Sequence, residues 1–135
     1  MDKRHILVVD DEENALYAME FILETADYGV TTAKNGQEAL DKILAAKDNG
    51  SLFDLLIADI QMPVLTGLEL VDELKRLSID VPILVITGYG SKELSDELMR
   101  KGCDGYLDKP FDDEGLMKRV ATIFEKRSRQ EGYNR

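Results

Sequence analysis

Cysteine is nearly absent from this chain: Cys103 is the only one, and His5 is the only histidine. No intrachain disulfide can form, which fits a reducing compartment, and one thiol with one imidazole makes a poor metal or redox set. Cys103 therefore reads as a small buried hydrophobe. His5, just ahead of the first apolar run, reads as a strand-edge or surface residue. Long hydrophobic stretches are also missing, and no segment approaches the length needed to cross a bilayer. The first five residues are charged and the apolar run after them is only Ile6–Val9, so no signal peptide is expected. A soluble cytoplasmic protein is the expectation. Basic charge is in short supply: 17 Lys and Arg stand against 27 Asp and Glu, a net charge of −10. That balance opposes non-specific binding to nucleic-acid backbones and anionic membranes, without excluding a local basic patch. Internal repeats and low-complexity tracts are absent as well.

What remains has the composition of an ordinary soluble globule, with 44% apolar and 33% charged residues among 135. That length suits one domain and is short for two. A chain of roughly 150 residues buries about 70% of its extended surface, so a full core needs no covalent staples.

Four short apolar runs stop abruptly at polar residues. Ile6–Val9 ends at Asp10 and Asp11, Leu55–Ala58 at Asp59, Pro82–Ile86 at Thr87, and Tyr106-Leu107 at Asp108 and Lys109. Tyr28–Ala33 is a weaker fifth strand candidate. Runs apolar on both faces suit strands covered by helices on both sides. Helical spacing lies between them. Leu16, Met19, Leu23 and Ala26 recur within Glu13–Ala26; Ala39, Leu40, Ile43 and Leu44 mark a second helix; Leu70, Val71, Leu74 and Leu77 a third. A short fourth helix, about 92–101, has only Leu94, Leu98 and Met99 to bury. The fifth carries Leu116, Val120, Ile123 and Phe124, with Asp112 or Asp113 as its cap. Residues 128–135 lose the apolar period and are expected to fray, as a polar tail or the start of a linker after a domain of residues 1–127. Strand and helix thus alternate five times, with connections long enough for right-handed parallel crossovers. The compact solution is an α/β sandwich with helices on both faces of one parallel sheet.

Asp10, Asp11, Asp59, Thr87 and Lys109 all fall at the carboxyl ends of these strands, the edge where open parallel sheets bind ligands. Clustered carboxylates repel one another, so either some stay protonated or a cation neutralises them. Hard oxygen donors favour Mg²⁺. Lys109 adds a fixed positive charge and Thr87 a hydroxyl. Such a set can hold a phosphoryl group while one carboxylate attacks it to form an acyl phosphate.

Val8-Val9-Asp10-Asp11-Glu12, Asp59-Ile60-Gln61-Met62-Pro63 with Gly67, Thr87, and Lys109-Pro110-Phe111 together resemble the response-regulator receiver (CheY-like) family of two-component signalling, over about residues 4–127. The resemblance implies a flavodoxin-like (βα)5 fold with a five-stranded parallel sheet in the order 2-1-3-4-5. It makes Asp59 the phosphoacceptor, phosphorylated by a histidine kinase or phosphotransfer protein. Asp10 and Asp11 then help bind Mg²⁺, for which Mn²⁺ is a substitute, together with Asp59 and the backbone carbonyl of Gln61. Thr87 and Lys109 contact the phosphoryl group, and Tyr106 is the aromatic that follows Thr87 in the switch. The bond before Pro110 is the family's usual cis position. Gln61 and Tyr89 become the candidates for setting phosphoryl lifetime. Glu12 is a helix-start residue, and Pro63 and Gly67 shape the loop. The implied output is a changed surface on the fourth helix, fifth strand and fifth helix, offered to a downstream protein or a second copy of the chain. The product is a switch that catalyses only its own phosphorylation and dephosphorylation.

Other readings fit less well. Phosphatases that form an aspartyl phosphate carry a second aspartate two residues after the nucleophile, a spacing that Asp10-Asp11-Glu12 lacks. Neither a dinucleotide fingerprint nor a phosphate loop with lysine follows the first strand. A degenerate receiver would lack one of the five site residues, and all five are present. No helix-turn-helix segment follows the fifth helix, so this chain is not expected to bind DNA.

Overall fold

The computed structural model describes residues 3–62, 64–88 and 90–133, the last three by backbone alone. Five strands alternate with five helices: β1 His5–Val9, α1 Glu13–Thr25, β2 Gly29–Ala33, α2 Gly36–Asp48, β3 Leu55–Asp59, α3 Gly67–Arg76, β4 Ile83–Thr87, α4 Lys92–Arg100, β5 Gly105–Asp108 and α5 Asp113–Tyr133. All strand pairs are parallel, in the order β2-β1-β3-β4-β5.

The period-two alternation of each strand sorts the core into two layers. Leu7, Val9, Leu56, Ala58, Ile83 and Val85 face α2, α3 and α4. Ile6, Val8, Leu55, Ile57, Leu84 and Ile86 face α1 and α5. The three central strands are therefore apolar on both sides, apart from His5, which begins β1, and Asp59 and Thr87, which end β3 and β4. The outer strands β2 and β5 are only part-covered, so Thr31, Thr32 and Asp108 are tolerated there.

The elements differ from the sequence expectation at their margins. Asp59 and Thr87 are the last residues of β3 and β4, not the first residues beyond them. Met99 lies on the open side of α4, because Leu98 alone points fully inward and the next residue is turned about 100° away. Helix α5 does not end near Arg127 but continues to Tyr133. Arg129, Gln130 and Glu131 are good helix formers, and Arg129 pairs with Glu125 one turn back. The start of α5 follows expectation, with Asp112 Oδ1 accepting from the Gly115 amide at 2.7 Å.

Candidate functional site: an acidic rim closed by Lys109

The sheet ladder runs slightly past the strands and fixes the backbone of the site. The Asp10 amide donates to the Ala33 carbonyl, Ile60 to Ile86, and Lys109 to Thr87. Residues far apart in sequence are thereby held along one rim. Helix α3 closes it from below. Thr66 caps that helix, exchanging hydrogen bonds with Glu69 in a capping box. Gly67 then meets the β3 end directly, since a Cβ there would lie 2.6 Å from the Asp59 carbonyl oxygen and 2.8 Å from Ile60 Cα.

Asp10 is 1% exposed and Asp59 7%. Each carboxylate has one oxygen tied to backbone two residues on: Glu12 N–H donates to Asp10 Oδ1 and Gln61 N–H to Asp59 Oδ1, both at 2.9 Å. Lys109 Nζ donates to the remaining oxygens, at 2.7 Å to Asp59 Oδ2 and 3.3 Å to Asp10 Oδ2. Glu12 is the N-cap of α1, with no side-chain cap bond of its own.

Charge remains unbalanced. Carboxylate oxygens of Asp10, Asp11 and Asp59 lie within 4.8 Å of one another, Asp11 being the exposed member. Lys109 pairs with two of them, Asp10 and Asp59. Burial raises the Asp10 pKa above its ordinary value, and the Asp59 charge adds to this, against the opposing pull of the Glu12 amide and Lys109. For Lys109, burial works against the charged form, but the Asp59 hydrogen bond and the two carboxylates outweigh it and push the pKa up. Three oxygen donors with surplus negative charge are the chemistry that a small hard cation satisfies.

The structure therefore gathers Asp10, Asp11, Asp59 and Lys109 at one place. Thr87 is buried at the end of β4, in register with Asp108. Gln61 enters through its amide, while its side chain is exposed. The Lys109–Pro110 peptide bond is cis. Tyr106 is half-buried, and its hydroxyl donates to Asp108 Oδ1 at 2.6 Å. Tyr89 and Pro63 lie outside the described residues. Two features escaped the sequence reading. The Thr66–Glu69 capping box was open to it, as Thr-x-x-Glu ahead of an apolar helix. The Tyr106–Asp108 bond carried a fainter signal, two polar-tipped residues on one side of a strand.

The family model of the response regulator receiver domain matches residues 6–121. The transcriptional regulatory protein FixJ of Bradyrhizobium diazoefficiens is 34% identical over 120 residues, covering 89% of this chain and 56% of FixJ. The alkaline phosphatase synthesis transcriptional regulatory protein PhoP of Bacillus subtilis is 36% identical over 129 residues, covering 93% of this chain and 50% of PhoP. The chain thus spans about half the length of these curated relatives. The solved chemotaxis protein CheY4 of Vibrio cholerae superposes with a TM-score of 0.81 at 35% identity, covering 90% of this chain and 99% of that one. The chain belongs to the response-regulator receiver family, the signalling switches of two-component systems. Cys103, as expected, is a buried thiol, its pKa pushed up by burial to about 11. Among the described residues no helix is long and apolar enough to cross a membrane.

Proposed function

We propose that Asp59 accepts a phosphoryl group from the phosphohistidine of a histidine kinase or phosphotransfer protein. The carrying observation is the Lys109 ammonium bridging the buried Asp59 and Asp10 carboxylates at the rim. Asp10, Asp11, Asp59 and the Gln61 backbone carbonyl would hold Mg²⁺, which supplies charge neutralisation to the transferring oxygens. An Asp59 carboxylate oxygen attacks phosphorus in line. The P–N bond breaks as the P–O bond forms, and the electron pair returns to the imidazole nitrogen of the donor. Lys109 and the Thr87 hydroxyl then bind the phosphoryl oxygens. Most of the acceleration is positioning and electrostatics. Hydrolysis of the acyl phosphate restores Asp59, with Gln61 and Tyr89 setting its rate.

Phosphorylation adds between one and two negative charges at neutral pH. Drawing Thr87 and Lys109 toward that charge biases the segments after β4 and β5, with Tyr106 following. The α4-β5-α5 face then meets a downstream protein or a second copy. Helix α4 buries only Leu98 fully, which suits a moving part. The donor docks on α1, which begins beside the acids and presents Tyr17 and Phe21, 59% and 70% exposed. The chain itself binds no nucleic acid and works in the cytoplasm.

The test is incubation with Mg²⁺ and acetyl phosphate followed by intact-mass measurement. Wild type is expected to gain one phosphoryl group and Asp59→Asn none. Equal labelling of both, or of neither, refutes the assignment.

A further inference from the structure

The Tyr106 hydroxyl, the Asp108 carboxylate and Gly90 meet at one point on the rim. The hydroxyl donates to Asp108 Oδ1 at 2.6 Å. A Cβ on Gly90 would overlap both the hydroxyl and Asp108 Oδ1. The tied pair therefore rests against the segment that leads from Thr87 into α4, a contact that only a residue without a side chain permits. Asp108 is also the neighbour of Lys109, whose amide is held by the Thr87 carbonyl and whose ammonium occupies Asp59 and Asp10. The hydroxyl tie lies within β5 and seats the Tyr106 hydroxyl against Gly90 of the segment after β4, in the same arrangement that keeps Lys109 on both acids.

We infer that Asp108 is a positioning residue that latches Tyr106 against Gly90 and holds the site in its resting arrangement. Phosphorylation has to release this tie before the segment after Thr87 can close on the phosphoryl group. The inference rests on the phosphoacceptor reading of Asp59 and deepens it by naming a brake on the switch. A ligand shifts such an equilibrium only by its differential affinity for the two arrangements, so removing a tie made only in the resting one must tighten binding to the other.

The experiment is titration with beryllium fluoride, a phosphoryl mimic, in excess Mg²⁺, followed by backbone amide NMR shifts. Because one charge-assisted hydrogen bond at a part-open rim is involved, Asp108→Ala is expected to bind about fivefold more tightly than wild type. Gly90→Ala keeps both polar partners but fills the seat, and is expected to tighten binding by a similar factor. The double variant should gain no more than either alone, as the two changes remove one interaction. Asp108→Asn retains an accepting oxygen and should return most of the way to wild type, a rescue that general loosening of β5 would not produce. Wild type that binds the mimic, with Asp108→Ala binding equally or less tightly, overturns the latch and leaves the phosphoacceptor reading standing. Wild type that binds none overturns both.

Discussion

Neutralising Asp10 should have opposite effects on stability with and without magnesium. In metal-free protein three carboxylates crowd together, and Lys109 pairs with two of them. Two unit charges within 4.8 Å of each other repel by about 3–4 kcal/mol at an effective dielectric of roughly 20. Lys109 offsets much of this, and water at the exposed Asp11 side screens more. The net relief from Asp10→Asn is then about 1–2 kcal/mol, equivalent to a rise of about 3–6 °C in unfolding midpoint for a domain of this size. Asparagine keeps an oxygen that accepts from Glu12 N–H, and Lys109 keeps Asp59; the new amide N–H₂ replaces the oxygen that accepted from Lys109 and has the Asp59 and Asp11 carboxylates close by as acceptors. The pH dependence has a definite sign. The Asp10 pKa lies above 3.8 in the folded chain, so the folded state holds more protons than the unfolded state in the window above that value. Wild-type stability falls as pH rises through this window. The penalty is absent below it and complete above the raised pKa, and the Asn variant lacks this slope. With magnesium at about 100 times its Kd, wild type gains roughly 2.7 kcal/mol that the variant largely forgoes. Thermal unfolding in chelator and in saturating Mg²⁺ gives four midpoints. The variant should be the more stable without metal and the less stable with it. A variant destabilised in chelator, or an equal magnesium gain in both proteins, refutes the electrostatic account of the site.

Three other substitutions probe its surroundings. Val64 is 78% exposed with φ at 69°, a region costly for a β-branched residue. Val64→Gly should stabilise by about 0.5–1 kcal/mol in urea unfolding, the relief of strain exceeding the added chain entropy; a loss of stability would contradict it. Gly67→Ala sets a Cβ against the Asp59 and Ile60 backbone, and backbone cannot swing aside. A cost of about 2–3 kcal/mol and slower labelling by acetyl phosphate are expected, and a change under about 0.5 kcal/mol would show that α3 can retreat freely. Phe21→Ala should lower kcat/KM for a protein phosphodonor by about tenfold while sparing acetyl phosphate. Equal slowing with both donors would place the fault in the site instead of the docking face.

How much of this was legible follows from burial. The central strands are covered on both faces, so between their polar end residues they have to be apolar, and the runs Ile6–Val9, Leu55–Ala58 and Ile83–Ile86 stand out. The edge strands β2 and β5 are only partly covered, so Gly29–Ala33 carries two threonines and Gly105–Asp108 begins and ends on residues that no apolar count would choose. Their strand character comes from pairing with β1 and β4, a tertiary fact. The same reasoning covers α5. Its apolar stripe ends near Phe124, but once packed against the sheet a helix extends at little cost through good helix formers, so periodicity marks where α5 is held and not where it stops.

The acids and the lysine were legible because parallel topology converts the ends of apolar runs into neighbours. What stayed hidden is how they pair. Nothing in the spelling of the chain says that Lys109 bridges Asp10 and Asp59, or that each acid uses its second oxygen on an amide two residues on. Those bonds exist because Asp10 and Asp59 are buried enough to make an unpaired carboxylate costly, and the rim is crowded enough to bring one ammonium within reach of both. The same crowding makes this arrangement displaceable. A cation that satisfied three acids, and a phosphoryl group that claimed the lysine, would each offer partners as strong as those they disrupt. If Asp59 is the phosphoacceptor, binding and rearrangement are one event at this rim, and the residues that read as chemistry in the sequence are the ones whose resting bonds would break as the switch moves.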